Sequence, residues 1–303
     1  MTPATTQQSP PRCCVVISFY DRRQPNHLYA LLTSLERFPS GAPFDVAIVV
    51  NQTNDSPLQL SKTRLPAHIL YRHNTGMNIG AWDFGWRALP DYDYFLFLQD
   101  ECYVVREDWL ARFIARADRD NAGLICESMN TAWDLPWEKL RERESDVHLP
   151  DHGNGRSNRV DTYLEAFERW STQASPTARH ARALVWFAKR DVLERIDGFP
   201  IGHDYGECIA AEIAVSQRIL SAGLTVEQVD EVPFFYIRHA EWNRDHASMP
   251  FTKQSILVET LRRERKQRKE IANPSWRFIG SLILRRLRHS IRQTVRIGSS
   301  RQK

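Results

Sequence analysis

The chain of 303 residues is 42% hydrophobic, 26% charged and 11% aromatic, which excludes a disordered chain, a collagen-like fibre and a disulfide-stapled miniprotein. Its net charge of +4 hides an asymmetry, because residues 261–303 carry 14 Lys and Arg against 2 acids and leave an acidic body before them. A basic tail of this kind suits an anionic surface, either nucleic acid or phospholipid headgroups.

The opening stretch, MTPATTQQSPPR, has neither the apolar core nor the cationic start of a secretory signal and reads as a disordered leader over 1–12. No apolar run approaches the roughly 18–20 residues of a membrane helix. Cys13, Cys14, Cys102, Cys126 and Cys208 show no C-x-x-C spacing. That disfavours a zinc site or a disulfide framework and fits a reducing cytoplasm.

From Cys13 onward strands alternate with helices. CCVVISFY (13–20) is a continuous apolar, β-branched run of the kind a strand buried on both faces requires. Residues 26–38 place Leu28, Leu31, Leu32 and Leu35 at helical spacing before a PSGAP breaker. FDVAIVV (44–50) and HILYR (68–72) read as the second and third strands, followed by a helix over about 79–89 and by YFLFLQ (94–99) as the fourth strand. REDWLARFIARA (106–117) predicts a helix with acids in its first turn, and AGLICES (122–128) a fifth strand. This alternation implies an α/β fold, a mostly parallel central sheet with helices on both faces.

Residues 129–180 break the pattern. They are rich in Arg, Glu, Asp and Trp, include HGNGRSN, and show weak helical patches near 135–143 and 160–170. They read as an irregular insertion. Regular structure resumes with ARALVWFAKR (181–190) and a helix through 191–196, after which IDGF turns the chain. A helix from about 207 ends at Gly223 as its C′ residue, and VPFFYIRH (232–239) reads as the last strand.

In an open α/β sheet, ligands bind outside the carboxyl ends of the strands. Four successive strands are followed by Ser18-Phe19-Tyr20-Asp21-Arg22, by Asn51-Gln52-Thr53-Asn54-Asp55, by Asn74-Thr75-Gly76-Met77-Asn78-Ile79-Gly80 and by Gln99-Asp100-Glu101. Together they outline a polar cleft at one sheet edge. No G-x-G-x-x-G follows the first strand, and neither a G-x-x-x-x-G-K-[ST] loop nor a G-x-S-x-G elbow exists, which disfavours a Rossmann dehydrogenase, a P-loop and an α/β-hydrolase. What remains is a nucleotide site with an acidic patch at a strand end. Adjacent carboxylates there commonly hold a hard divalent cation that neutralises a diphosphate.

Over residues 13–240 the chain resembles the family 2 glycosyltransferases of GT-A fold. The resemblance is carried, in order, by VVISFYDR, IVVNQTND, NTGMNIGAWDFG, YFLFLQDECYVVREDWL, IDGF and EIAVSQRILSAGL. It implies a GT-A-like single domain over 13–250, with 129–180 as an acceptor-side insertion. It also implies sugar transfer, with inversion at the anomeric carbon, from a UDP-, dTDP- or GDP-sugar to a saccharide or lipid-linked acceptor, aided by Mg²⁺ or Mn²⁺. Nucleotide-sugar contacts then fall to Phe19, Tyr20, Asp21, Asn51, Asn74, Gly76, Asn78, Asp83, Gln99 and Asp100. Glu101 matches the family's metal-binding acid, with Asp100 beside it, and His239 stands where some relatives place a histidine on metal or diphosphate. The chain departs from the family at Gln99, where an acid is usual, at Asn51, which replaces an Asp, and at Trp82 and Asp83, where Arg and Asn are common.

The family's catalytic base lies near the start of the helix after the G-F turn. Counting back from Arg218 selects Glu212, whereas counting forward from Tyr205-Gly206-Glu207 selects Glu207, with Asp204 next in line. The small or apolar neighbours of Glu212 (Ala210, Ala211, Ile213, Ala214) would raise its pKa, as a general base requires. Trp133, Trp137 and Trp170 are candidates to stack on a sugar acceptor, whereas Trp186, in a strand, reads as core.

Residues 259–270 read as a charged helix. Over 274–297, Trp276, Ile279, Ile283, Leu287 and Ile291 share one face, with Arg285, Arg288, Arg292 and Arg296 on the other. That is the pattern of a helix lying in a membrane surface. Residues 251–303 are therefore expected to form a basic helical tail holding the protein at the inner face of the cytoplasmic membrane, and no recognition motif favours nucleic acid. Two rivals stay open. One is a catalytically silent, membrane-tethered binding or scaffold protein, which Gln99 favours. The other is a nucleotidyltransferase on a similar fold, which the missing glycine-rich, lysine-bearing loop disfavours.

Overall fold

The computed structural model describes residues 11–53, 57–60, 63–144 and 158–240. Most of the expected leader, the tract 145–157 with most of HGNGRSN, and the whole basic tail with its expected helices lie outside the described residues. In chain order the strands are β1 (Cys13–Tyr20), β2 (Asp45–Gln52), β3 (Ala67–His73), β4 (Tyr94–Gln99), β5 (Cys102–Val104), β6 (Ala122–Cys126), β7 (Met129–Asn130), β8 (His180–Ala181), β9 (Val185–Lys189), β10 (Thr225–Gln228) and β11 (Ile237–His239). The helices are α1 (Asn26–Arg37), α2 (Met77–Ala88), α3 (Trp109–Ala117), α4 (Trp137–Arg143), α5 (Arg159–Arg169), α6 (Arg190–Arg195) and α7 (Tyr205–Ser221). No described helix is long and apolar enough to cross a membrane.

A seven-stranded sheet in the order β10-β6-β9-β4-β1-β2-β3 forms the centre. The pairs β1–β2, β2–β3, β1–β4 and β6–β10 are parallel, and β9 runs antiparallel between β4 and β6. The expected α/β class with a mostly parallel sheet flanked by helices is what the chain adopts. β1 sits mid-sheet, which is why Cys13 through Phe19 are all buried. On one face Phe95, Phe97, Trp82, Trp186 and Phe199 interlock, with Trp82–Trp186 centroids 5.3 Å apart and Trp186–Phe199 centroids 5.5 Å apart. Each such side chain contributes roughly 1.5–3 kcal/mol by leaving water.

The N-T-G-M-N-I-G-A-W-D-F-G stretch is built by close packing. Gly76 takes φ +73° to enter α2, and a Cβ on Gly85 would lie 2.6 Å from Val16 Cγ1, so the helix lies directly on the sheet. At the far end of α7, Gly223 is the C′ residue in αL. Its N–H bonds Leu220 O at 3.0 Å and the Leu224 N–H bonds Ile219 O at 3.1 Å, a Schellman pair.

Several boundaries differ from the sequence reading. The helix expected from Arg106 begins at Trp109, because Asp108 adopts φ 57° and turns the chain first; Glu107 and Asp108 thus fall outside its first turn. The fifth strand ends at Cys126, before Glu127 and Ser128. The last strand is only β11, which pairs antiparallel with β5 in a small separate sheet. Upstream of it Phe234, at φ 56°, gives its N–H to Glu127 O at 3.0 Å, so VPFFY wraps around Glu127 as a turn. Within 129–180 the described parts include two helices, α4 and α5, and the short strands β7 and β8, which pair antiparallel. α4 and α5 pack with α7 around Leu140, Tyr163, Phe167 and Ile213.

Candidate active site

Because β3, β2, β1 and β4 are parallel neighbours, their carboxyl ends fall on one edge, and the polar stretches after them enclose a cleft of about 720 Å³. Phe19, Tyr20, Asn51, Asn74, Asn78, Gln99, Asp100, Glu101, Glu212 and His239 all line it. Residues more than two hundred positions apart thus share one cavity.

The peptide at Ala183, between β8 and β9, is the hub of the cleft floor. Its carbonyl accepts from Asn78 Nδ2 at 2.8 Å and from Gln99 Nε2 at 2.6 Å, while its N–H donates to Glu212 Oε1 at 2.9 Å. Asn51 ties β2 to α2, giving Nδ2 to Met77 O at 3.1 Å and accepting Arg72 Nη1 at 2.7 Å. The amide of Gln99 is therefore used as an amide, since a carboxylate there would have no proton for Ala183 O.

Glu101 is nearly buried and held on both oxygens. Oε2 lies 3.2 Å from His239 Nε2 and Oε1 2.6 Å from Arg23 Nη1. The His239 hydrogen bond and the Arg23 guanidinium keep its carboxyl down at about 2, against the cost of burial. Beside it Asp100 is pushed up to about 6 by burial and by the Glu101 charge, and its buried Oδ2 has no hydrogen-bond partner.

Glu212 sits in the opposite kind of environment. Burial on α7 pushes its carboxyl up to about 6, partly offset by the Ala183 N–H and by Arg182, while its side chain stays 24% exposed to the cleft. Behind it His180 is buried and held down at about 3, hence neutral. Its Nδ1 donates to Ala178 O at 2.7 Å, which leaves Nε2 as an acceptor for Asn130 Nδ2 at 3.4 Å and 3.7 Å from Glu212 Oε1.

Four expected site residues lie outside the cleft lining. Asp21 accepts from Thr53 N at 2.6 Å and Thr53 Oγ1 at 2.7 Å, stapling the ends of β1 and β2. Gly76 is the turn into α2. Asp83 accepts from Trp86 Nε1 at 3.0 Å, Arg87 Nε at 2.9 Å and Phe199 N at 2.8 Å, so it anchors the G-F turn to α2. Glu207 completes a helix start: its N–H goes to Asp204 Oδ1 at 2.8 Å, its Oε2 accepts His203 N at 2.8 Å, and Arg169 pairs with Oε1. Trp133, Trp137 and Trp170 pack with α5 and its neighbours and do not line the cleft. The lining also includes residues that the sequence reading had not singled out for the site, Arg23, Ala183, Leu184, Cys208 and Ile209, together with Tyr205. For Arg23 the available signal was a cation three residues after a strand end.

A divalent cation fits this site in one way. Among the described residues no group of three or more His, Cys, Asp or Glu side chains could hold a metal. Glu101 Oε2 is one donor at the cleft wall, His239 Nε2, 3.2 Å from it, becomes a second once it gives up the proton it shares with Glu101, and the buried, unpartnered Asp100 Oδ2 adds negative charge beside them. An ion such as Mg²⁺ takes one or two protein donors and completes its shell with phosphate oxygens and water.

No protein-family model matches the chain, and no curated protein matches it. It is similar in structure to a mannosyltransferase from Pyrobaculum calidifontis solved with GDP-Man and Mn²⁺, at 13% identity and a TM-score of 0.44, over 73% of this chain and 55% of that one. It is also similar to residues 1–349 of TarS from S. aureus, at 16% identity and a TM-score of 0.42, over 75% of this chain and 59% of that one. A third similar structure is the catalytic domain of Drosophila beta1,4galactosyltransferase 7 with xylobiose, at 11% identity and a TM-score of 0.42, over 82% and 80%. The chain thus spans little more than half of the first two.

Proposed function

We propose that this protein is an inverting glycosyltransferase that moves a sugar from a nucleoside-diphosphate sugar to a saccharide or lipid-linked acceptor. The observation that carries the reading is one cleft lined by two carboxylates in opposite surroundings, Glu101 paired with Arg23 and His239, and Glu212 on α7, whose Oε1 accepts the Ala183 N–H and whose side chain reaches the cleft. Sites that combine a charge-bearing group with a proton acceptor near neutrality are arranged for acid–base chemistry.

In this reading the nucleoside lies toward β1 and β2, against Phe19, Tyr20, Asn51 and Asn74, and the diphosphate lies near the end of β4. The acceptor approaches from the α7 side. Glu212 takes the proton of the acceptor hydroxyl as that oxygen forms its bond to the anomeric carbon, and the bond from that carbon to the diphosphate oxygen breaks on the opposite side. One in-line displacement inverts the configuration. The Ala183 N–H holds the carboxylate in place, and neutral His180 behind it adds no charge that would lower its basicity. Glu101 and His239 would hold a divalent cation, which supplies neutralisation of the departing diphosphate when bound.

Hydrolysis or transfer from a panel of UDP-, dTDP- and GDP-sugars tests the reading. Slow release of the nucleoside diphosphate from one donor is the expected result. A folded protein that binds nucleotides yet turns over no donor would instead favour the silent binding protein. The tail at 274–297 is proposed to hold this activity at an anionic membrane surface, so deletion of 271–303 should abolish salt-sensitive binding to anionic vesicles.

A further inference from the structure

A nucleoside diphosphate entering the cleft brings negative charge to a wall that already carries Asp100, Glu101 and Glu212. Among the described residues lining the cleft, one Arg or Lys answers that charge, and it is Arg23. Its guanidinium is 51% exposed and rests on Glu101 Oε1 at 2.6 Å. Its backbone N–H donates to Tyr20 O at 2.9 Å, closing a turn directly after β1, which presents the side chain at the sheet edge beside the acidic step. The neighbouring Arg22 and Arg72 do not line the cleft. Arg22 Nε donates to Thr53 Oγ1 at 3.3 Å, and Arg72 gives Nη1 to Asn51 Oδ1 at 2.7 Å and Nη2 to Thr75 O at 2.6 Å.

We propose that Arg23 is a diphosphate-binding residue of this site, positioned by Glu101, and that it gives the protein affinity for nucleoside diphosphates that needs no metal ion. The proposal rests on reading the cleft as a nucleotide-sugar site. A guanidinium is a rigid fork of five N–H donors and can span a carboxylate and a phosphate together. Glu101 divides its two oxygens between Arg23 and His239, so the permanent cation and any divalent ion act side by side on one carboxylate. Arg23 then supplies the part of donor binding that survives a chelator, and metal adds to it.

Titration calorimetry with UDP, GDP and dTDP, each in EDTA and in Mn²⁺, tests this on the full chain, on Arg23→Ala and on Arg23→Lys. Thermal melts confirm folding, which is expected because Arg23 is half exposed and Glu101 keeps His239. At least one of the nucleotides should bind the parent protein in EDTA. Arg23→Ala should weaken that binding about ten- to a hundredfold, the worth of one or two charge-assisted hydrogen bonds. Arg23→Lys should fall between, and the loss should shrink in Mn²⁺. Equal affinity of Arg23→Ala and parent in EDTA would overturn the proposal, as would binding that EDTA abolishes and Mn²⁺ restores. If none of the three nucleotides binds in either condition, the reading of the cleft itself fails and the proposal with it.

Discussion

The two halves of the cleft treat the same side chain in opposite ways. At the sheet edge, Glu101 meets His239 and Arg23, and its carboxyl is held at about 2. On α7, Glu212 meets apolar neighbours, one backbone N–H and a neutral histidine, and is pushed up to about 6. A carboxylate held low is a fixed charge, suited to positioning a cation. One raised toward neutrality exchanges protons with a substrate. Pairs of titratable groups driven apart by their environments mark a division of roles.

The largest expected effect breaks the α7 half. Glu212→Gln should lower sugar transfer by roughly 10²–10⁴, while nucleotide binding stays within a few-fold of the parent by calorimetry. Because only the ionised carboxylate accepts a proton, turnover of the parent should fall as pH drops through about 6 and level off above it. A profile flat down to pH 5 would show that the base is another group. A smaller effect sharpens the sheet-edge half. Glu101→Ala removes one of the two cation donors, so Mn²⁺ should no longer tighten nucleotide binding, while the midpoint of the pH profile stays where it was. The smallest concerns Glu207, in the first turn of α7, whose carboxylate accepts the His203 N–H and pairs with Arg169. Glu207→Ala should cost about 1 kcal/mol of stability in urea melts, with transfer within a few-fold of the parent. A dead Glu207→Ala enzyme would move the base by more than a helical turn.

Much of the first half was legible from local pattern. β1, β2 and β4 are continuous apolar runs because each is covered on both faces, and α1 announces itself through Leu28, Leu31, Leu32 and Leu35. The cleft followed from strand ends, so Asn51, Gln99 and Glu101 were accessible to the same reasoning. What was not legible depends on distant partners. β5 and β10 are short strands whose pairing comes from β11 and β6. VPFFYIRH has the composition of a strand, yet most of it curls around Glu127, whose Oε1 accepts the N–H groups of Tyr236 at 3.1 Å and Ile237 at 2.7 Å. Asp83 lies in the stretch after β3 but its Oδ1 accepts Phe199 N of the G-F turn and Trp86 Nε1, and its Oδ2 accepts Arg87 Nε. The two counts that select Glu207 and Glu212 place them at different points of α7. Asp204-x-x-Glu207 has the spacing of a capping box, and in the structure Asp204 Oδ1 accepts the Glu207 N–H while Glu207 Oε2 accepts the N–H of His203 just before the cap.

The most direct test of the divided cleft needs no substrate. Carboxyl carbons of ¹³C-labelled glutamate can be titrated by NMR in the full chain, with Glu101→Gln and Glu212→Gln used to assign the two signals. Glu212 should titrate near 6 and Glu101 near 2, the two separated by most of the accessible range. Two signals titrating together at the ordinary glutamate position, about 4.3, would contradict the account.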